Sequence, residues 1–542
     1  MQKIIFGTKF SSYMVVLFFI AWVALHIPAA TYGTDKLALH MSYIGDEQAP
    51  VNGALHILED KSLLGLKNLT TVYYGPILSV LALPAIIGDF ATHFVRGDIA
   101  GAQDYKTYLL YNWGGIVLYA RLTSVLAGFA GLIFLLKILS TKTVNSSGNR
   151  LVPWVGTLLL ATNFMYFEYA SFFRHWIFII ALLLGQIYYL IKIDEGDVLS
   201  TKRYWVYEVF LTVTSFGISY VGAIFQVLWI PVLVRWIFGK KTKELKYFVY
   251  YVISVITLGA LVVWWHPYAF FRILGLTGVS APLTSLGSIL EPSSQSSFAY
   301  YGQILFLNNL ALLSAGILLV GFLTSQALIR HAYWIWVFIF PALANLIVFS
   351  LPTHHEGRYV LPTVVLLVAC SAALFVHAAS RVEFRGVIKV AVGTLISSYL
   401  VFHILSVGQW LRVMNERPSE YSAITRILEL QKTTPQAKTL ALHGYLFGHA
   451  HTKDAYIQYA KQTHKENIDL YKALIQSKTF SNPEDLNVFY QPLDTPITKN
   501  LIKNFDHIVI RYIPKMDYDP FDANMLNLWF YKDFDDKYTF LK

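Results

Sequence analysis

About twelve apolar stretches follow one another through the first three quarters of a 542-residue chain, most of them long enough to cross a bilayer core of ~30 Å. They lie at Tyr13–Thr31, Val72–Phe90, Gly115–Leu139, Pro153–Tyr169, His175–Ile193, Trp205–Ser219, Val221–Phe238 and Tyr247–Trp265. Four more lie at Gln303–Thr324, Ala332–Leu351, Tyr359–Ala379 and Gly386–Val407. A soluble domain carries roughly 25% charged residues, whereas this chain carries 14% and is 55% hydrophobic. Outer-membrane barrels show alternating strands of ~10 residues instead. The expectation is an all-α polytopic membrane protein of about 11–12 transmembrane helices. The first stretch, preceded by Lys3 and Lys9, exceeds the ~7–15-residue apolar core of a signal peptide, so it reads as a retained helix.

The net charge of +10 sits in short basic clusters between apolar stretches, as orientation signals do, and does not point to nucleic acid. Suppose that Val72–Phe90, interrupted by Pro76 and Pro84, enters one leaflet without crossing. Then Lys3/Lys9, Lys137/Lys142/Arg150, Lys192/Lys202/Arg203, Arg235–Lys246, Arg330 and Arg381/Arg385/Lys389 all fall on one side. That side is cytoplasmic by the positive-inside rule, which favours about eleven crossings of a plasma (inner) membrane. The Trp205 and Val221 stretches, short and nearly contiguous, read either as two spans or as one broken unit. Loops 33–71 and 266–301 then face outward, with the Phe172–His175 turn and Thr353–Arg358. The chain divides into a multispanning domain, 1–408, and a polar tail, 409–542, expected to be an external α/β domain. In the tail, "FDHIVIRYI" (Phe505–Ile513) has the pattern of a buried strand. The single cysteine, Cys370, lies within an apolar run and reads as a core residue.

Unusual titratable groups gather on the outward face. Asp46 and Glu47 adjoin a segment in which Val51, Ala54, Leu55 and Leu58 recur at helical spacing. Asp46 would lie near that helix's N-terminus, where the dipole favours a carboxylate, either as a cap or as a chemical group. Glu168, Arg174 and His175 form a second group, open to interfacial anchoring or to binding. His354, His355, Glu356 and Arg358 form a third. Adjacent histidines diverge and no i,i+4 pair follows, so metal ligation is disfavoured. Arg174 and Arg358, at the ends of separate spans, suit an anion, because guanidinium forks match phosphate. Arg121 and Arg272 read as lipid-headgroup contacts.

In order and spacing, residues 1–410 resemble the GT-C superfamily of polyprenyl-phosphate-sugar-dependent glycosyltransferases, in its protein-mannosyltransferase and ArnT-like branch. The matching elements are Asp46-Glu47, "GALHILED", "YYGP" (Tyr73–Pro76), "YARLTSVLAG" (Tyr119–Gly128), "FEYASFFRHW" and "RYVLPTVVLLV" (Arg358–Val368). The chain departs from the pattern after Arg174, where relatives often place an acid and His175-Trp176 stand here.

The resemblance implies transfer of a sugar from a polyprenyl-phosphate carrier to an acceptor on a protein, lipid or glycan, on the extracytoplasmic face. Asp46 would be the general base, and Glu47 would orient the acceptor or share a divalent metal ion with Asp46. Otherwise no cofactor is implied. Arg174, Arg358, His354 and His355 would hold the donor phosphate, and Tyr73, Tyr74, Glu168, His175 and Tyr359 would line the substrate site. A base opposite a departing phosphate predicts inversion. The expected partners are the lipid-linked donor, an acceptor and membrane lipids. The competing classes are a secondary transporter or lipid flippase, which would place charge near the bilayer midplane, a scaffold subunit, and a glycan ligase or polymerase.

Overall fold

The computed structural model describes residues 2–31, 45–67, 74–109, 114–196, 201–273, 301–302, 304–305, 334–350, 357–381, 386–416, 439–442, 488–490, 507–511 and 538–540. Helices dominate: α1 (Gln2–Thr31), α2 (Gly45–Glu59), α3 (Pro76–Arg96), α4 (Ala102–Leu109), α5 (Gly114–Leu139), α6 (Leu151–Ala161), α7 (Phe164–Ala170), α8 (His175–Glu195) and α9 (Thr201–Ile218). A 3-10 segment, Tyr220–Trp229, runs into α10 (Ile230–Phe238). Then come α11 (Thr242–Trp265), α12 (Pro267–Ile273), α13 (Trp334–Ser350), α14 (Gly357–Arg381) and α15 (Gly386–Glu416). Among the described residues eight segments are long and apolar enough to cross a membrane. The fold is that of an all-α multispanning membrane protein.

The most buried layer is α8 with α5, α7 and α14 around it. Trp176, Tyr166, Phe172 and Phe173 are wholly enclosed, and Cys370 is buried as expected. Residues such as Ile253 and Ile256 on α11, or Leu17 and Ile20 on α1, remain exposed. Large apolar side chains left on the outside of a bundle face lipid.

The α6–α7 pair makes one span with a break at Asn163. A break frees backbone groups that hydrocarbon cannot satisfy, and side chains take them up. Asn163 Oδ1 accepts from Tyr166 N at 3.2 Å, and Phe164 N donates to His403 Nδ1 at 3.1 Å. The Trp205 and Val221 stretches are two antiparallel elements, not one broken unit, and of the two only Tyr220–Phe238 is long and apolar enough to cross a membrane. Trp205 stacks on Trp229 at 5.4 Å, and Gly222 packs against Ser215. The reversal takes only Ser219 because the returning span starts as a tight 3-10 helix.

Placement decides the course of α3. Thr143, just beyond α5, donates from N and Oγ1 to Glu195 Oε1 at 3.1 and 2.8 Å, so the C-terminal ends of α5 and α8 share one side. The N-terminal ends of α5 and α8, and the C-terminal end of α9, therefore share the other side. Gly75, which caps α3, donates from N to Ile218 O at 3.0 Å, at the α9 end. At the other end of α3, Thr92 Oγ1 lies 2.5 Å from Tyr119 Oη, and Asp89 packs on Gly115, both near the α5 start. Both ends of α3 lie on the α8 N-terminal side. Long and apolar as it is, α3 does not cross.

Beyond α15, which runs on to Glu416, a four-stranded sheet has the order β2-β1-β3-β4: β1 Thr439–Leu442, β2 Val488–Tyr490, β3 His507–Arg511 and β4 Tyr538–Phe540. The first three are parallel and β4 is antiparallel. The strand expected over Phe505–Ile513 is β3.

Candidate active site

Glu47, in the first turns of α2, is 1% exposed and its carboxylate is fully engaged. Arg121 of α5, 0% exposed, donates Nε to Oε1 at 3.1 Å and Nη2 to Oε2 at 2.8 Å, a bidentate fork. Phe173 N, in the α7–α8 turn, donates to Oε1 at 2.7 Å. Arg121 Nη1 donates to Ala30 O at 3.2 Å, at the end of α1, and the guanidinium stands 5.2 Å over the Phe172 ring. One ion pair thus ties four elements together. Arg121 is not a headgroup contact. A divalent ion shared by Asp46 and Glu47 does not fit this arrangement, because both Glu47 oxygens already face a guanidinium.

Asp46 lies in the first turn of α2, whose first residue is Gly45. Four residues on stands Pro50, which has no N–H to give to the Asp46 carbonyl, so the turn carrying Asp46 is not locked by its own ladder. The Glu47 fork supplies the anchorage instead. Val51, Ala54 and Ile57 bury the inner face of α2, while Leu58, expected on that face, is exposed.

The α7–α8 turn leads directly to Arg174, which caps α8 in an extended conformation (φ −127, ψ 151) and is 7% exposed. His175 and Trp176 form the first turn of α8. The Tyr74 ring, just before α3, lies 4.6 Å from the His175 ring. Trp176 meets Phe349 of α13 at 5.7 Å and Tyr359 of α14 at 6.1 Å, and Tyr359 stacks on Phe349 at 5.0 Å. Arg358, part-buried in the first turn of α14, stands 5.5 Å over the Tyr359 ring. Asn345 Nδ2 donates to Tyr359 O at 2.8 Å and Thr363 Oγ1 at 3.0 Å, locking α13 onto this end of α14. Glu168 is wholly buried on α7.

The start of α8 therefore adjoins α2, through Phe173 N and Glu47, and the start of α14, through Trp176 and Tyr359, with Arg174 and Arg358 at the α8 and α14 starts. Helix N-termini present unbonded N–H groups and a positive dipole end, which here stand with Arg174 and Arg358 beside Tyr74, His175, Trp176 and Tyr359. Tyr73, His354 and His355 lie outside the described residues.

Two polar groupings escaped sequence reading. The first is Arg121, whose signal was a charge inside an apolar span, which must be paired. The second joins α3 to α4. Tyr105 Oη donates to Asp89 Oδ2 at 2.8 Å, His93 Nδ1 lies 2.7 Å from Asp98 Oδ2, and Tyr108 Oη lies 2.9 Å from His93 Nε2. Burial, and then the Asp89 charge, pushes the Tyr105 phenol up. Burial, with Asp89 and Asp98, pushes Tyr108 up to about 12, against an opposing Arg96.

Among known proteins, no family pattern and no curated sequence matches the chain. It is similar to the crystal structure of ArnT from Cupriavidus metallidurans bound to undecaprenyl phosphate, at 14% identity over 78% of this chain and 73% of that one (TM-score 0.46). It is also similar to the apo structure of that protein, at 11% identity over 92% of this chain and 93% of that one (TM-score 0.47).

Proposed function

We propose that the chain is a membrane glycosyltransferase that moves a sugar from a polyprenyl-phosphate carrier to an acceptor at the external face. The observation that carries this reading is the α8 start with Arg174, which touches both the α14 start bearing Arg358 and the acidic first turn of α2. A lipid phosphate needs fixed positive charge and N–H donors at the membrane boundary as it departs. The acceptor needs a base held beside it.

Asp46 serves as that base, taking the acceptor's proton as the acceptor oxygen or nitrogen bonds the anomeric carbon. The C1–O bond to phosphate breaks and its electron pair leaves with the phosphate, so the carbon inverts. Arg174 and Arg358, with His354 and His355, neutralise the phosphate. Glu47 is a positioning residue, since its carboxylate is spent on Arg121 and Phe173 N. Tyr73, Tyr74, Glu168, His175 and Tyr359 line the sugar and acceptor space. No step runs through a metal ion. Residues 1–408 form the catalytic domain, and 409–542 an extracytoplasmic domain.

The test is transfer from a panel of radiolabelled polyprenyl-phosphate sugars, in membranes carrying the wild type or Asp46→Asn. Transfer by the wild type that disappears in the folded variant supports the reading. Equal transfer by both removes Asp46 from the chemistry. No transfer by either, with carrier movement across vesicles instead, favours a flippase.

A further inference from the structure

The inner half of the bundle holds a carboxyl group that the proposed reaction does not use. Glu208, two turns into α9, is 0% exposed, and among the described residues neither of its oxygens has a hydrogen-bond partner. One turn earlier on the same face, the Trp205 indole Nε1 is likewise buried without a partner among the described residues. The ring of Trp205 stacks on Trp229 (5.4 Å) and Tyr247 (6.2 Å) and meets Tyr251 (6.0 Å) and Trp236 (6.1 Å) at a tilt.

The surroundings of Glu208 supply oxygen atoms but little positive charge. One turn further along α9, Thr212 Oγ1 lies 2.9 Å from Tyr251 Oη of α11. Tyr251 Oη donates to Gln226 Oε1 at 2.8 Å and accepts from Trp229 Nε1 at 3.1 Å, and Gln226 Nε2 donates to Gln186 Oε1 of α8 at 3.2 Å. Glu208, Thr212, Ser215 and Ser219 are all buried and fall at helical spacing, a polar stripe along an otherwise apolar span. Lys202 and Arg203 open α9 more than a turn before Glu208, and three further cations at this end of the bundle pair with other acids. Asp194 takes Arg235, Trp236 Nε1 at 2.9 Å and Lys241 Nζ at 3.3 Å, while Glu195 takes Lys192 at 2.7 Å.

A carboxylate inside a membrane is stable only with a counter-charge, and such groups mark ion or proton pathways. We propose that Glu208, buried on α9 where it packs against α8 and α11, is the centre of a monovalent-cation site. Its occupant is a proton or a sodium ion, held by the Glu208 carboxylate. The proposal is independent of the glycosyltransferase reading.

The experiment uses purified full-length protein in detergent with dicyclohexylcarbodiimide, which reacts with protonated carboxyl groups in apolar surroundings. Modified peptides are mapped by mass spectrometry from mildly acidic to alkaline pH, with sodium or choline as the salt cation. Thermal unfolding of the wild type and Glu208→Gln is followed under the same conditions. Labelling at Glu208 that falls several-fold with rising pH, alike in both salts, identifies a proton site. Labelling suppressed several-fold by sodium at fixed pH, with a sodium-dependent rise in Tm that Glu208→Gln abolishes, identifies a sodium site. The proposal is overturned if Glu208 is unlabelled throughout, or labelled alike in all conditions, and sodium and pH move the two Tm values in parallel.

Discussion

Glu47 and Arg121 bury opposite charges at 1% and 0% exposure, and each satisfies the other. Desolvation is costly for both, so breaking the pair from one side strands a buried charge, at a cost of roughly 3–5 kcal/mol. Glu47→Gln and Arg121→Met are each expected to lower the thermal unfolding midpoint markedly. The double variant should fall well short of the sum, because the stranded charge is gone. A cycle measured by thermal unfolding in detergent that came out additive would show that the fork does not act as a unit. Arg174 is expected to behave differently. Arg174→Lys keeps the charge but loses the planar fork, so if it holds the donor phosphate, donor KM should rise by about tenfold with little change in stability. Tyr108 gives a pH signature. Its phenol is raised from 10.0 to about 12, so the native state holds that proton more tightly than the unfolded chain. The associated stability is complete below pH 10.0 and is lost as pH rises through about 12. Tyr108→Phe should flatten the fall in Tm over that interval.

At the scale of elements, α3 shows how little length and hydropathy say about direction. The prolines at its start and in its middle, Pro76 and Pro84, gave the first hint that it does not cross, and the packing of both ends supplies the reason. Its start depends on a close backbone approach. A Cβ added at Gly75 would collide with Gly217 O, a backbone atom at the end of α9 with little room to yield. Gly75→Ala is expected to cost roughly 1–3 kcal/mol and to loosen Tyr74 from His175. The check is thermal unfolding together with donor KM. The two short elements before α8 follow a similar logic. The Asn163 break ends α6 and swings α7 so that the turn after it delivers Phe173 N to Glu47 and leaves Arg174 at the mouth of α8.

At the scale of the molecule, the arrangement makes a topological prediction. With Cys370 replaced, single cysteines at Lys67 and Asp98, flanking α3, should react with an impermeant maleimide from the same side of sealed vesicles. Cysteines at Lys142 and Lys240 should react from the opposite side. Labelling of Lys67 and Asp98 positions from opposite sides would make α3 a span. The places of most described spanning helices were readable from the sequence (most of Gln303–Thr324 lies outside the described residues), because a bilayer imposes one rule: ~20 apolar residues per crossing and internal backbone bonding. That rule is local and shows in composition. Asp46, Glu47, Arg174 and Arg358 stood out for the same reason, as charge at the edge of apolar runs. Partnership is not local. Whether Glu47 faces an acceptor or Arg121, whether Arg121 meets a headgroup or a carboxylate, and whether Glu208 has a counter-charge depend on residues many positions away. The bilayer rule fixed the helices; the packing of one helix end on another decided which charges are tied together.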